Sequence, residues 1–187
     1  MRACIVAIGS EMLTPFRVDT NSLLITDRLN TIGYDVRLKA VVADDVDELA
    51  RVLEGALAWA DLIVVTGGLG PTEDDITRDA VARVFDMPLD VDERIVERIR
   101  DRFARRGMTM PEINRRQAMV PRGATVLANP NGTAPGLWLE RDQTSGAAAG
   151  TTARDDADAG VGDSRAVGAE DGRPRPLPAG PENHRTG

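Results

Sequence analysis

Aromatic residues and lysine are scarce in this sequence. Phe, Trp and Tyr make up only 3% of its 187 residues, so the core must be built from Val, Leu, Ile and Ala, as is common where helices cover a parallel sheet. Lys39 is the single lysine, and the 30 acidic residues outnumber the 23 basic ones. The formal charge of −7 argues against binding to nucleic acid, which needs clustered basic side chains to neutralise phosphates.

Cysteine and histidine occur once each, which limits the available chemistry. Cys4 lies in an apolar run without a partner for a disulfide, so we expect a small buried hydrophobic residue and not a reactive thiol. His184 lies near the end of the chain, in a segment poor in apolar residues. The sequence therefore argues against a histidine-based catalytic triad and against a conventional His/Cys zinc site.

Long apolar runs are also lacking. No stretch approaches the roughly 20 residues that span a bilayer, and Gly9 and Glu11 interrupt the apolar start of the chain too early for a signal peptide. The sequence therefore predicts a soluble, cytoplasmic protein that binds neither membranes nor nucleic acid.

Short apolar runs alternate with helical patterns over the first three quarters of the chain. The patterns predict strands at 3–8, 34–42, 62–65, 124–127 and 136–139, and helices that begin near Asp19, Asp45, Ile76, Asp90 and Pro111. Strands that alternate with helices indicate parallel pairing through right-handed crossovers. We predict a three-layer α/β fold, in which a mostly parallel sheet is flanked by helices. Such sheets bind their ligands beyond the carboxyl ends of the strands.

The Gly-rich run 66–75 (TGGLGPTEDD) joins a buried strand to a helix and is the main candidate site. Glycine permits positive φ and close approach to a ligand, and the amides and dipole at the start of the next helix favour an anion. The candidate phosphate-binding residues are Thr66, Gly67, Gly68, Gly70 and Thr72. The carboxylates of Glu73, Asp74 and Asp75 would repel phosphate. A divalent cation held between carboxylate and phosphate would remove this repulsion. Alternatively, Thr72 and Asp75 merely cap the helix.

The run TGGLGPTEDDIT, preceded by LIVV, resembles the signature of the molybdopterin-binding (MoaB/MogA-like) fold. In detail it is similar to the N-terminal domain of the competence/damage-inducible CinA family. Further stretches support the resemblance in the right order: AIGSEML, VDTNSLLITDRL, VVADD, NRRQAMVP and NPNGTAPG. Together they cover roughly the first three quarters of the chain.

The resemblance implies functional roles for Asp75, after the glycine loop, and for Asp44, at the end of the second strand. CinA-type N-terminal domains are associated with metal-dependent ADP-ribose pyrophosphatase activity. The first hypothesis is therefore a hydrolase in which Asp75 and Asp44 are catalytic. Glu11, Asp44 and Asp75 would bind the divalent metal ion or activate water, although Glu11 is also explained as a cap of its own turn.

The second hypothesis is a module of molybdenum-cofactor biosynthesis that binds molybdopterin in the same cleft. In both hypotheses the partner is a small phosphorylated ligand, either an ADP-ribose-like nucleotide or a pterin. Asn131, Gly132 and Thr133 are candidates for a second backbone cradle for that ligand, or alternatively form an ordinary turn. Relatives of this fold commonly self-associate, so the resemblance also implies a homo-oligomer.

The composition changes abruptly near residue 142. We predict an incomplete CinA-like N-terminal domain at 1–141 and a disordered tail at 142–187, which is rich in Gly, Ala, Pro and Asp. The family's domain normally continues with further strands, so the tail is interpreted as the product of a truncation or frameshift, or as a disordered extension. A third hypothesis follows, in which the chain is an inactive fragment.

Overall fold

The computed structural model describes residues 1–140 and 148–152. Its strands and α-helices are, in chain order, β1 (Arg2–Ile8), α1 (Thr20–Thr31), β2 (Asp35–Val42), α2 (Val46–Leu57), β3 (Leu62–Thr66), α3 (Thr77–Val84), β4 (Leu89–Val91), α4 (Glu93–Ala104), β5 (Met119–Pro121), β6 (Thr125–Leu127), β7 (Gly136–Glu140) and β8 (Ala148–Thr152). Short 3₁₀ helices lie at Ser10–Leu13 and Glu112–Ala118. Within these two ranges, no helix combines the length and the apolar character needed to cross a membrane.

Six strands form the main sheet, in the order β2-β1-β3-β8-β7-β6. The first four are parallel to one another, whereas β7 and β6 follow as an antiparallel pair, with β7 antiparallel to β8. The prediction of an α/β fold with a mostly parallel sheet between helices is confirmed.

Alternation along β1 divides the core into two layers. Cys4, Val6 and Ile8 point into the larger cluster, which contains buried residues of α2, α3 and α4, whereas Ala3 and Ile5 point into a smaller cluster beneath α1. Every residue from Ala3 to Val6 is fully buried, as a continuous apolar strand requires. Burial also raises the pKa of the Cys4 thiol to about 11, so this residue is a buried hydrophobe, as expected.

Carboxylates begin three of the helices. Asp19 and Asp45 accept hydrogen bonds from the amides of Ser22 (3.0 Å) and Glu48 (2.9 Å), in agreement with the sequence-based prediction. The cap of α4, however, is Asp92 and not Asp90.

Asp90 lies instead in β4, which pairs with β5 in a separate two-stranded sheet, and its carboxylate accepts a hydrogen bond from Arg122 (2.8 Å). Both strands have three residues. A run this short contains too little alternation to be distinguished from a loop.

Strand β8 lies in the segment for which the sequence predicts disorder. Its five residues pair with β3 on one side, and four of them, Ala148 to Thr151, pair with β7 on the other, so at these positions the structure differs from that prediction. The pairing uses backbone groups, which Ala, Gly and Thr provide as well as larger residues do. The remainder of the predicted tail, 142–147 and 153–187, lies outside the described residues.

Candidate functional site

The loops that hold most of the predicted site residues meet at one edge of the main sheet. Ile8 pairs with Val42, and Ala7 pairs with Thr66, so β1, β2 and β3 end side by side. Strand β7 runs in the opposite direction, and its residue Leu137 pairs with Thr151 near the end of β8. The turn before β7 therefore reaches the same edge. Strand β8 lies between it and the glycine loop, so the two are roughly 10 Å apart, which is two strand spacings.

Gly67 and Gly68 fold the glycine loop back onto the sheet and onto α3. Their φ angles are 92° and 62°, and a Cβ atom would strike the carbonyl oxygen of Ile8 at the first position and the hydroxyl of Thr77 at the second. Thr77 in turn donates its hydroxyl to the Gly67 carbonyl (2.8 Å) and its amide to the Gly68 carbonyl (3.1 Å). The positive φ expected from the sequence is confirmed, but the space beside both glycines is filled by the chain's own atoms.

Arg78 lies beneath the loop and is only 2% exposed. Its guanidinium donates to the carbonyl oxygens of Leu69 (2.7 Å) and Gly70, while its Nε has no partner among the described residues. Burial lowers the pKa of Arg78 to about 10, and the carboxylates of Asp75 and Asp79 oppose this shift. The side chain therefore remains protonated at neutral pH and places a cation under a loop that ends in three acidic residues.

The carboxylate of Asp75 stabilises the loop through hydrogen bonds to two of its residues, Gly70 and Thr72. One carboxylate oxygen accepts the amide of Gly70 (2.6 Å), and the other accepts both the amide (2.8 Å) and the hydroxyl (2.6 Å) of Thr72. The predicted alternative, that Thr72 and Asp75 cap α3, is wrong, because the cap is Ile76 and it forms no side-chain hydrogen bond. The amino end of α3 is therefore left without a side-chain cap.

Asp44 connects the loops that follow β1 and β2. Its carboxylate accepts the amide of Ser10 (2.9 Å), and its own amide donates to the Ser10 hydroxyl (3.1 Å). The carboxylate of Glu11 folds back over Gly9, where a Cβ atom would collide with it at 2.6 Å. Both acidic residues lie at the predicted edge, and both side chains lie against the segment that follows β1, Asp44 at Ser10 and Glu11 at Gly9.

No three His, Cys, Asp or Glu side chains in residues 1–140 are arranged to hold a metal ion. Glu11, Asp44 and Asp75 are thus not assembled into a cluster, and both oxygens of Asp75 already accept hydrogen bonds from the loop. These donors do not fit a metal site made by the protein alone.

Asn129 organises the turn at Asn131, Gly132 and Thr133. Its side-chain oxygen accepts the amides of Asn131 (3.0 Å) and Gly132 (3.0 Å), and its side-chain nitrogen donates to the carbonyl of Ala134 (2.8 Å). Arg102 of α4 donates to the carbonyl oxygens of three residues of this turn: Pro130 (3.2 Å), Asn131 (2.7 Å) and Gly132 (3.3 Å). Two amides of the predicted cradle are therefore used within the turn itself.

A cleft of about 960 Å³ lies between the β4–β5 sheet, the first turn of α4 and β6. Of its three arginines, Arg94 pairs with Asp92 (2.7 Å) and Arg122 pairs with Asp90 (2.8 Å). None of the sequence-predicted site residues lines it. Its three acidic and three basic side chains balance one another, so it has no excess of positive charge to attract an anion.

Three residues that shape the site were missed by sequence reasoning: Thr77, Arg78 and Arg102. A threonine or an arginine on a helix resembles any exposed polar residue, and only the fold places these under a loop. Asn129 had a usable signal, because asparagine two residues before a turn often accepts the amides of that turn.

Comparison with known proteins agrees with this architecture. Residues 4–153 match the sequence model of a family described as a probable molybdopterin binding domain, and the match extends through β8, beyond the predicted boundary at residue 141. A CinA-like protein of Solibacter usitatus is 49% identical over 140 residues, which cover 75% of this chain and 34% of that protein. The chain thus spans about a third of the length of the curated relatives it matches.

Solved structures resemble the fold, a CinA protein and a MoaB protein among them. The CinA protein of Thermoplasma acidophilum aligns with a TM-score of 0.73 and 33% identity, covering 81% of this chain and 87% of that one. MoaB of Pyrococcus furiosus, described as a tungsten cofactor synthesizing protein, aligns over 81% of each chain with a TM-score of 0.50 and 20% identity, which shows the fold alone. The chain therefore belongs to the molybdopterin-binding domain family and is a CinA-like member of it, with the MoaB/MogA-like fold.

Proposed function

We propose that this chain binds a small phosphorylated ligand, a pterin phosphate or a nucleotide, at the glycine loop and the first turn of α3. The observation that carries the proposal is the buried guanidinium of Arg78 beneath that loop. A cation held in a region of low dielectric offsets part of the negative charge of the nearby carboxylates.

The amino end of α3 supplies the second component of an anion site. The amide of Thr77 donates to the Gly68 carbonyl, but the cap residue Ile76 offers no side-chain acceptor, and the dipole of the helix is positive at this end. Glu73 and Asp74 are exposed, whereas Asp75 is turned into the loop by its hydrogen bonds. A phosphate at the amino end of α3 would therefore meet the positive end of the helix dipole, while the Asp75 carboxylate is already engaged with the loop.

The pterin alternative is supported by the family to which the chain belongs. A molybdopterin-type ligand has one terminal phosphate, which the glycine loop and α3 would hold, while the turn at Asn131–Thr133 lies at the same sheet edge for the remainder of the molecule. The resemblance to CinA-type domains instead implies ADP-ribose as ligand, with its pyrophosphate at the same loop.

Hydrolysis of ADP-ribose is the finer form of the proposal. It requires a divalent cation, and the described carboxylates form no three-ligand cluster. A cation that acts here would have to arrive bound to the phosphates of the substrate. We therefore derive no catalytic step through Glu11, Asp44 or Asp75.

The test is calorimetric titration of the full chain, after cooperative thermal unfolding has been demonstrated. The probes are ADP-ribose, compared with adenosine, and a pterin phosphate, compared with the same pterin without its phosphate. Release of AMP from ADP-ribose is then measured with Mg²⁺ and with Mn²⁺. We expect binding that requires the phosphate, and AMP release would extend the proposal to hydrolysis. Equal binding of the phosphorylated and dephosphorylated probes would contradict it, and a chain that unfolds without cooperativity would favour the inactive fragment.

A further inference from the structure

The peptide group between Leu69 and Gly70 is held at both ends by opposite charges. Its carbonyl oxygen accepts a hydrogen bond from Nη1 of Arg78 (2.7 Å), and its N–H donates to the carboxylate of Asp75 (2.6 Å). The cation thus meets the negative end of the peptide dipole, and the anion meets the positive end.

Rotation of this peptide would be strongly unfavourable. It would turn the carbonyl towards the carboxylate and the N–H towards the guanidinium. Hydrogen bonds to ionised groups are about twice as strong as neutral ones, and they gain further strength where water is excluded, as it is around Arg78.

The same two side chains also hold the peptides that follow. Arg78 donates to the carbonyl of Gly70, and Asp75 accepts the amide and hydroxyl of Thr72. A Cβ atom at Gly70 would collide with the Asp75 carboxylate, so the glycine at this position is explained by the close approach of the carboxylate. The segment 69–72 is therefore fixed from below by a cation and from the side by an anion.

We propose that Asp75 and Arg78 are positioning residues that clamp the Leu69–Gly70 peptide and keep the loop in its ligand-binding conformation, and that Asp75 holds no metal ion. This inference rests on the proposed function and gives Asp75 a role different from the metal-binding and catalytic roles suggested by the resemblance. Preorganisation of this kind lowers the entropy that a ligand must overcome on binding.

The test compares three variants of the full chain. Asp75→Asn removes the anion of the clamp and puts a donor in place of one acceptor. Asp74→Asn is the matched control, because it removes the same charge from the neighbouring, exposed residue. Arg83→Met removes a cation from the same helix as Arg78, where Arg83 is exposed and pairs with Asp47.

Two readouts are used: affinity for inorganic pyrophosphate without divalent cations, and the amide proton resonances of Gly70 and Thr72. In Asp75→Asn we expect at least a tenfold loss of affinity and an upfield shift of both resonances. Neither control should lose affinity or shift these resonances. Thr72→Val should weaken binding and Thr72→Ser should restore it, which provides a milder pair of variants if Asp75→Asn does not fold.

The proposed role of Asp75 is contradicted if the Gly70 amide resonance in Asp75→Asn matches that of the wild type. It is also contradicted if Mn²⁺ alone binds to the wild type and not to this variant. Unchanged pyrophosphate affinity in Asp75→Asn would also overturn it. If the wild type binds neither pyrophosphate nor the phosphorylated probes of the proposed function, that function fails, and the amide resonances then decide the clamp independently.

Discussion

Glycine is needed at three positions of the loop for reasons internal to the chain. Gly67 and Gly68 have positive φ and lie against Ile8 and Thr77, whereas Gly70 has ordinary φ and lies against the Asp75 carboxylate. From the sequence, the same glycines indicate an approach to a ligand. Sequence could predict that the backbone is unusual here but not what occupies the space beside it, because Thr77 and Asp75 approach only through the turn into α3.

Gly68→Ala should destabilise the protein by more than about 1 kcal/mol, since alanine at positive φ is strained and its Cβ would displace the Thr77 hydroxyl. Chemical denaturation would measure the change. Gly55→Ala is the matched control: Gly55 lies in α2 with open space around it, and alanine there should stabilise the helix by about 0.5–1 kcal/mol. Equal effects of the two substitutions would contradict the account of the loop.

At the scale of elements, long periodic segments were predictable and short ones were not. Helix α2 buries Leu49, Leu53 and Ala56 at helical spacing after its Asp45 cap, and each of these features can be read from the sequence. Strands β4 and β5 have three residues each and are defined by their pairing. The sequence therefore predicts the start of α4 two residues too early, at Asp90 instead of Asp92.

Asp92→Ala should lower the free energy of unfolding by about 1 kcal/mol, because it removes the side chain that caps α4. Asp90→Ala should cost less, since Asp90 forms only an exposed ion pair with Arg122. The hydrogen bond from Arg94 lowers the pKa of Asp92, and the Arg94 amide lowers it further. The stabilisation by Asp92 should thus be present at neutral pH and be lost as the pH falls through its folded-state pKa.

Urea denaturation of both variants at neutral and acidic pH would measure these effects. A larger loss of unfolding free energy in Asp90→Ala than in Asp92→Ala would indicate that Asp90, and not Asp92, caps α4.

At the scale of the whole molecule, the main sheet depends on β8, which joins the parallel half to the β6–β7 pair. Nothing in the composition of this segment distinguishes it from a linker, because small residues carry little hydrophobic signal. The placement of β8 follows from backbone pairing with two partners, which sequence periodicity cannot reveal. This is why the predicted boundary at residue 141 precedes the last strand.

Gly150→Pro should destabilise the fold by about 3 kcal/mol or more, because proline removes a backbone donor from a strand that is paired on both sides. Gly150→Ala keeps the donor and is the control. Thermal unfolding followed by circular dichroism would compare them. A wild-type melting temperature in Gly150→Pro would show that the strand does not lie within the sheet.

The central claim is that the glycine loop above Arg78 is where the chain binds phosphate. Its most direct test is the change in backbone amide NMR resonances when ADP-ribose is added to the full chain. The account predicts that the largest changes fall at Gly67–Gly70 and in the first turn of α3. Changes confined to the cleft around Arg94, Arg98 and Arg122, or no changes at all, would contradict it.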